Sequence, residues 1–287
     1  MRWQGRRQSG NVIDTRGRGG GRAVAGVGGG VGIVGILLMM GVVWMMGGNP
    51  LAVVQQGGQQ AARPVDPAEL ERQEPLKRFV GVVLADTEDV FNRELPRQLN
   101  VPYVEPKLQL FSGYVDSACG SASSAVGPFY CPGDQRVYLD LSFFEELSGK
   151  LGARGDFAMA YVVAHEIGHH VQNLTGYTDR VNAARGSPDE NRMSVRLELQ
   201  ADYLAGCFAH HAQKTKNILE QGDIQEGMVA AQAVGDDKLQ RESQGRVRPD
   251  SFTHGTSAQR ARWFKAGFES GNLKAMDQLF KLPYERL

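Results

Sequence analysis

The sequence lacks the marks of several common functional classes. Its formal charge sums to zero, with 32 Lys and Arg against 32 Asp and Glu. No global field therefore draws it to a polyanion. It has no zinc-finger spacing, no glycine-rich phosphate loop and no aromatic–basic stripe. Nucleic acid is not an expected partner. Cysteine is scarce, at three residues, and no further cysteine or histidine lies close in sequence to Cys119 or Cys131, which argues against a thiolate metal site. The acids after Gly235, Asp236 and Asp237, lack the regular ligand alternation of a calcium loop and read as solvated.

Against these absences, residues 156–173, DFAMAYVVAHEIGHHVQN, stand out. They place His165, Glu166 and His169 in an H-E-x-x-H arrangement. In a helix, positions i and i+4 share a face one turn apart, so both imidazoles can point at one ion. Glu166 sits beside them, within reach of a water at that ion. Two imidazoles and an oxygen ligand suit Zn2+ with one position left for water. The apolar run Phe157 to Ala164 predicts a buried helix, with Asp156 as a candidate cap. A second helix is predicted over 196–211, RLELQADYLAGCFAHH, whose face carries Glu198 and Asp202 four residues apart. Glu198 can supply the third zinc ligand. Asp202 can accept a hydrogen bond from the far nitrogen of a ligating histidine.

With these residues in view, the chain resembles the bacterial putative neutral zinc metallopeptidase family, which is gluzincin-like. The resemblance rests on Cys119 and Gly120, on Phe129-Tyr130-Cys131-Pro132, and on Val137-Tyr138-Leu139-Asp140. It rests further on AHEIGHH at 164–170, ELQAD at 198–202 and THGTSAQR at 253–260. It covers roughly 70–285 plus the basic, glycine-rich start and the apolar run behind it. It implies a zincin-like α+β fold, mainly helical with a small sheet. It also implies a zinc-dependent hydrolase with a peptide or protein substrate. Similar enzymes use a histidine or tyrosine to stabilise the oxyanion of the tetrahedral intermediate. His254 takes that place here, with Tyr203 as a second choice. Within the same resemblance, an edge strand near the metal binds extended substrate, and either 123–128 or 136–141 is a candidate.

The N-terminus reads differently. Residues 1–23 are arginine- and glycine-rich and read as a disordered tail. Residues 24–46 carry no charge, and a run of that length suffices for one bilayer crossing. The arginines before it place the tail in the cytoplasm and the remainder in the periplasm or outside the cell. This predicts a single transmembrane helix in the bacterial inner membrane, a linker over 47–75, and an exported domain over 76–287. In an oxidising compartment Cys119 and Cys131 can form a disulfide, contributing roughly 2–4 kcal/mol. Cys207 reads as a small buried hydrophobe.

Further elements follow in order. A helix is predicted over 76–95, ended by Pro96. Strands are predicted at 107–111 and 136–141, with a helical turn after the second. Asn191 or Ser194 is the expected cap of the second site helix. Another helix is expected over 223–241, weakened at 235–237. Thr256 should cap an amphipathic helix over 257–270. The rival to an enzyme is a non-catalytic, membrane-anchored interaction module with a structural zinc site. Such a site needs a fourth protein ligand, for instance His170, His210 or His211.

Overall fold

The computed structural model describes residues 1–17 and 66–287. The chain begins with strand β1 (Val12–Asp14). Helix α1 (Pro67–Leu99) precedes β2 (Lys107–Phe111), the hairpin β3 (Tyr114–Ser117) and β4 (Gly120–Ser123), then β5 (Phe129–Cys131) and β6 (Arg136–Asp140). Helices follow to near the end: α2 (Phe143–Gly149), α3 (Asp156–Leu174), α4 (Tyr177–Asn182), α5 (Glu190–Lys216), α6 (Asp223–Ala233), α7 (Asp236–Gln244) and α8 (Ser257–Ser270). The architecture is α+β and largely helical. Among the described residues no helix is long and apolar enough to cross a membrane.

The sheet runs β1-β2-β6-β5. β1, β2 and β6 are parallel, and β5 is antiparallel to β6. Its central strands are apolar and buried, as a sheet covered by helices requires: Leu108, Leu110, Val137 and Leu139 are all at most 1% exposed. Against the helices they meet Phe79, Leu84 and Phe91 of α1 and Phe157 and Ile167 of α3 in one core. The disulfide Cys119–Cys131 joins the turn of the β3–β4 hairpin to β5. Cys207 is buried and free.

Residues 1–17 correct the reading of a disordered tail. They lie on the domain, and each arginine there has an anionic or carbonyl partner. Arg6 makes a two-pronged pair with Asp86, at 2.6 and 2.7 Å. Arg7 donates to Asp89 and to the Ala85 carbonyl. Arg16 bridges Asp14 and Glu74. β1 then pairs with β2 from Val12 to Asp14. The amine of Met1 lies 2.5 Å from Asp156 Oδ1 at the start of α3. These contacts also overturn the expected topology. One crossing between residues 17 and 66 would put the two stretches on opposite sides of a bilayer, yet they form a single sheet. The transmembrane helix expected at 24–46 lies outside the described residues, and the fold class and the inner-membrane location are corrected accordingly.

Several boundaries moved for local reasons. α1 starts at Pro67, because Asp66 caps it and proline at the first helical position surrenders only an unused donor. The expected linker end at residue 75 falls inside this helix. Pro96 does not end it; Asn100 does, in the left-handed conformation, with its N–H returned to the Pro96 carbonyl. α5 begins at Glu190, so Asn191 and Ser194 lie within it and donate to the carbonyls of Asp250 and Thr253. The single helix expected over 223–241 is two, broken after Ala233. Asp156 is the first residue of α3 rather than its cap; the Glu226 carboxylate accepts the Phe157 N–H instead. At α8, Thr256 and Gln259 form a reciprocal capping box.

The docked N-terminus yields a direct test. Asp86 is 2% exposed and would keep only Lys216 if Arg6 were truncated. Arg6→Ala should therefore cost about 2 kcal/mol, below the usual loss for a fully buried pair because Arg6 is partly solvated. Urea unfolding of the full chain measures it, and an unchanged midpoint would show that residues 1–17 do not hold this position.

Candidate metal centre

The site forms where α3 crosses α5. Gly168 sets that crossing: a Cβ there would lie 3.0 Å from the Ala201 carbonyl oxygen and 3.1 Å from its Cα. Glycine lets the two backbones approach this closely without displacing either. The functional residues straddle the contact symmetrically. His165 and His169 lie three before and one after Gly168; Glu198 and Asp202 lie three before and one after Ala201. Residues three and four apart share a helix face, so the crossing turns both pairs toward each other.

The distances follow. His165 Nε2 is 3.2 Å from Glu198 Oε2, and His169 Nε2 is 3.5 Å from Glu198 Oε1. One donor atom each from His165, His169 and Glu198 lies within 4.8 Å of the others. Behind them, both imidazoles are pinned by their other nitrogen. His165 Nδ1 donates to Asp202 Oδ1 at 2.9 Å, and His169 Nδ1 donates to Gln172 Oε1 at 2.8 Å. In its neutral form each ring thus offers its Nε2 lone pair to a metal.

Asp202 is itself gripped. It is fully buried. The Tyr161 hydroxyl donates to its Oδ1 at 2.5 Å. Arg260, from α8, donates to Oδ2 at 2.9 Å and to Oδ1 at 3.1 Å. Burial opposes the charged form of Asp202, but Arg260 and His165 outweigh it and hold the carboxyl below its usual range. Glu198 shows the same contest: burial opposes its charge, and His169, His254 and His165 prevail, keeping it ionised. Glu166 goes the other way, its pKa raised chiefly by burial. Burial also works against a charged His165, yet Asp202 and Glu198 lift its pKa to about 9 when no metal competes.

The donor set fits zinc. Two imidazole nitrogens and a carboxylate oxygen are the ligands a catalytic zinc takes, with a further position for water. Three carboxylates, Glu166, Glu198 and Asp202, against one guanidinium leave two negative charges for a dication when the imidazoles are neutral. The candidate fourth ligands are engaged elsewhere. His170 takes the Tyr130 hydroxyl at Nδ1 and donates from Nε2 to the Val104 carbonyl, and burial pushes its pKa down to about 4. His210 donates to the Phe268 carbonyl and His211 to that of Gly271.

His254 reaches the region from the loop before α8. Its Nδ1 is 3.2 Å from Asp236 Oδ1, and its charge helps to keep Glu198 ionised. Burial disfavours its charged form, but Asp236 and Glu198 raise its pKa. Asp236 corrects the reading of a solvated acid: it is 2% exposed and accepts the backbone N–H groups of Thr253, His254 and Gly255. Tyr203 is excluded as a donor, because its hydroxyl is committed to Ser270 and the Asn272 carbonyl. The residues missed were Tyr161, Gln172, Asp236 and Arg260. Spacing could have found two, since Tyr161 is four before His165 and Gln172 three after His169. Arg260 closes the THGTSAQR motif, but no spacing ties it to Asp202, which it reaches from a separate helix.

The family model described as putative neutral zinc metallopeptidase matches residues 1–279. The chain belongs to this family. Uncharacterized protein YpfJ of Escherichia coli K12 is 45% identical over 287 residues, covering 95% of this chain and 96% of that one. Uncharacterized protein Mb2605 of Mycobacterium bovis is 45% identical over 185 residues, covering 61% and 62%. No solved structure matches. Membership in the zinc metallopeptidase family implies zinc, in keeping with the donor set at the α3–α5 crossing.

Zinc and protons should compete for His165. Its raised pKa means that the metal must displace a proton below pH 9, so zinc affinity should climb by up to about tenfold per pH unit between pH 6 and 9. Competition titrations against a chelator of known pH dependence measure this. An affinity flat across that interval would contradict the pairing of His165 with Asp202 and Glu198.

Proposed function

We propose that the protein is an endopeptidase that hydrolyses peptide bonds at a zinc held by His165, His169 and Glu198. The observation that carries the proposal is a three-donor site with Glu166 buried beside it. Zinc, when bound, polarises the scissile carbonyl and acidifies a water. Glu166 takes the water's proton and returns it to the leaving amine; its burial-raised pKa suits both transfers. Asp202 holds the tautomer of His165. His254, whose charged form Asp236 favours against burial, donates to the carbonyl oxygen as negative charge develops there.

An extended substrate has one accessible edge at this end of the sheet. β6 lies between β2 and β5, so both its edges are occupied, which removes 136–141 from consideration. Ser123 is paired with Tyr114 in the hairpin and residues 124–126 form a 3-10 turn, which removes most of 123–128. β5 is the outer strand, and Tyr130 ties it to α3 through His170. We assign strand addition to β5.

A group of only three donors among the described residues favours the enzyme over a structural zinc module, which would be closed by a fourth protein ligand. Glu166→Gln should keep zinc and lose peptide hydrolysis by at least about a hundredfold. Glu198→Ala should weaken zinc binding itself. Zinc-dependent cleavage undiminished by Glu166→Gln would reject the general-base role, and unchanged metal affinity in Glu198→Ala would reject the third ligand.

A further inference from the structure

Gln172 is fully buried and has no place in the hydrolytic steps above. Its amide bridges the two helices of the site. Nε2 donates to the Leu197 carbonyl at 2.6 Å, and Oε1 accepts from His169 Nδ1 at 2.8 Å. The orientation of the amide is fixed by chemistry: a carbonyl accepts only, so the NH2 end must face Leu197 and the oxygen must face His169. That in turn fixes His169 as the Nδ1–H tautomer. Leu197 immediately precedes Glu198. One side chain therefore grips a ligand histidine at one end and the backbone beside the ligand carboxylate at the other.

We propose that Gln172 is a positioning residue that sets the separation of His169 and Glu198 around the metal. The two histidines are then oriented by different means. His165 has a charged partner in Asp202, held by Arg260 and Tyr161. His169 has a neutral one. A neutral acceptor fixes the ring without adding a fourth negative charge to a site that already holds three carboxylates. It also leaves His169 a weaker donor to the metal than a carboxylate partner would, because ligand basicity rises with the charge behind the ring. Gln172 sits one turn beyond Gly168 on α3, so it braces the crossing on the side away from His165.

The inference rests on the zinc reading and not on peptide hydrolysis, so its test reads the metal. Zn2+ affinity by chelator competition and the visible spectrum of the Co2+-substituted protein are measured on the full chain. Gln172→Leu removes both hydrogen bonds and should weaken Zn2+ by roughly 10–100-fold and shift the Co2+ bands. Gln172→Glu keeps the acceptor toward His169 but loses the donor to Leu197, so it should recover only part of the affinity and shift the bands differently. A purely structural role would lower the thermal stability of both variants and leave the affinity and the spectrum alone; that outcome overturns the proposal, as does a Glu variant that binds no better than the Leu variant. Nitrogen-15 NMR of the wild-type imidazoles tests the same point without a substitution: the Nδ1–H tautomer at His169 is expected in the zinc-free protein, and the Nε2–H tautomer would overturn it. Failure of the wild type to bind Zn2+ at all would sink the zinc reading instead.

Discussion

The site depends on two helices touching backbone to backbone. At the Gly168–Ala201 contact a Cβ on residue 168 would press to within 3.0–3.1 Å of the Ala201 backbone, and this close approach brings the two pairs of site residues together. A wider crossing would leave the Glu198 carboxylate short of the paired imidazoles, because helix pairs separated by side chains sit 8–10 Å apart. Once the backbones meet, residues one turn apart on each helix converge. The short hydrogen bonds around Asp202 and Gln172 then fix what the crossing has brought together. The same device recurs where α5 meets α8. A Cβ on Gly206 would strike the Phe264 carbonyl, and one on Gly267 would strike that of Tyr203. That second contact brings Arg260 down onto Asp202.

The electrostatic consequence is a buried cluster that is costly without its ion. Taking several carboxylates out of water is unfavourable unless each is paired. Asp202 is paired by Arg260. Glu198 faces both imidazoles and is within the influence of His254. Glu166 is the least compensated, and its raised pKa is the sign of that. On the proposed mechanism, the group that carries a proton is the one whose surroundings favour protonation, while Glu198, the carboxylate ligand, is kept ionised.

Much of this centre was legible in sequence because it is local. H-E-x-x-H and E-x-x-x-D are each one helical turn, and period alone predicts their faces. The capping of α8 by Thr256 and the strands at 107–111 and 136–140 were legible for the same reason. What escaped depends on contacts between distant elements. Arg260 meets Asp202 across 58 positions, and no local pattern announces that. Asp236 looked like a surface acid until the loop 253–255 folded its N–H groups onto it. The arginines of residues 1–17 have no acid in their own stretch except Asp14, so composition suggested a tail. The other acids that pair with Arg6, Arg7 and Arg16 lie on α1, and the correct reading needed the tertiary structure.

The central claim, that His165, His169 and Glu198 hold one zinc ion between two helices, is tested most directly by zinc-edge X-ray absorption on the full-length protein loaded to stoichiometry. The account predicts one zinc per chain, with two imidazole nitrogens at about 2.0–2.1 Å and oxygen in the remaining positions. A sulfur neighbour at about 2.3 Å, a third imidazole, or no stoichiometric zinc would contradict it.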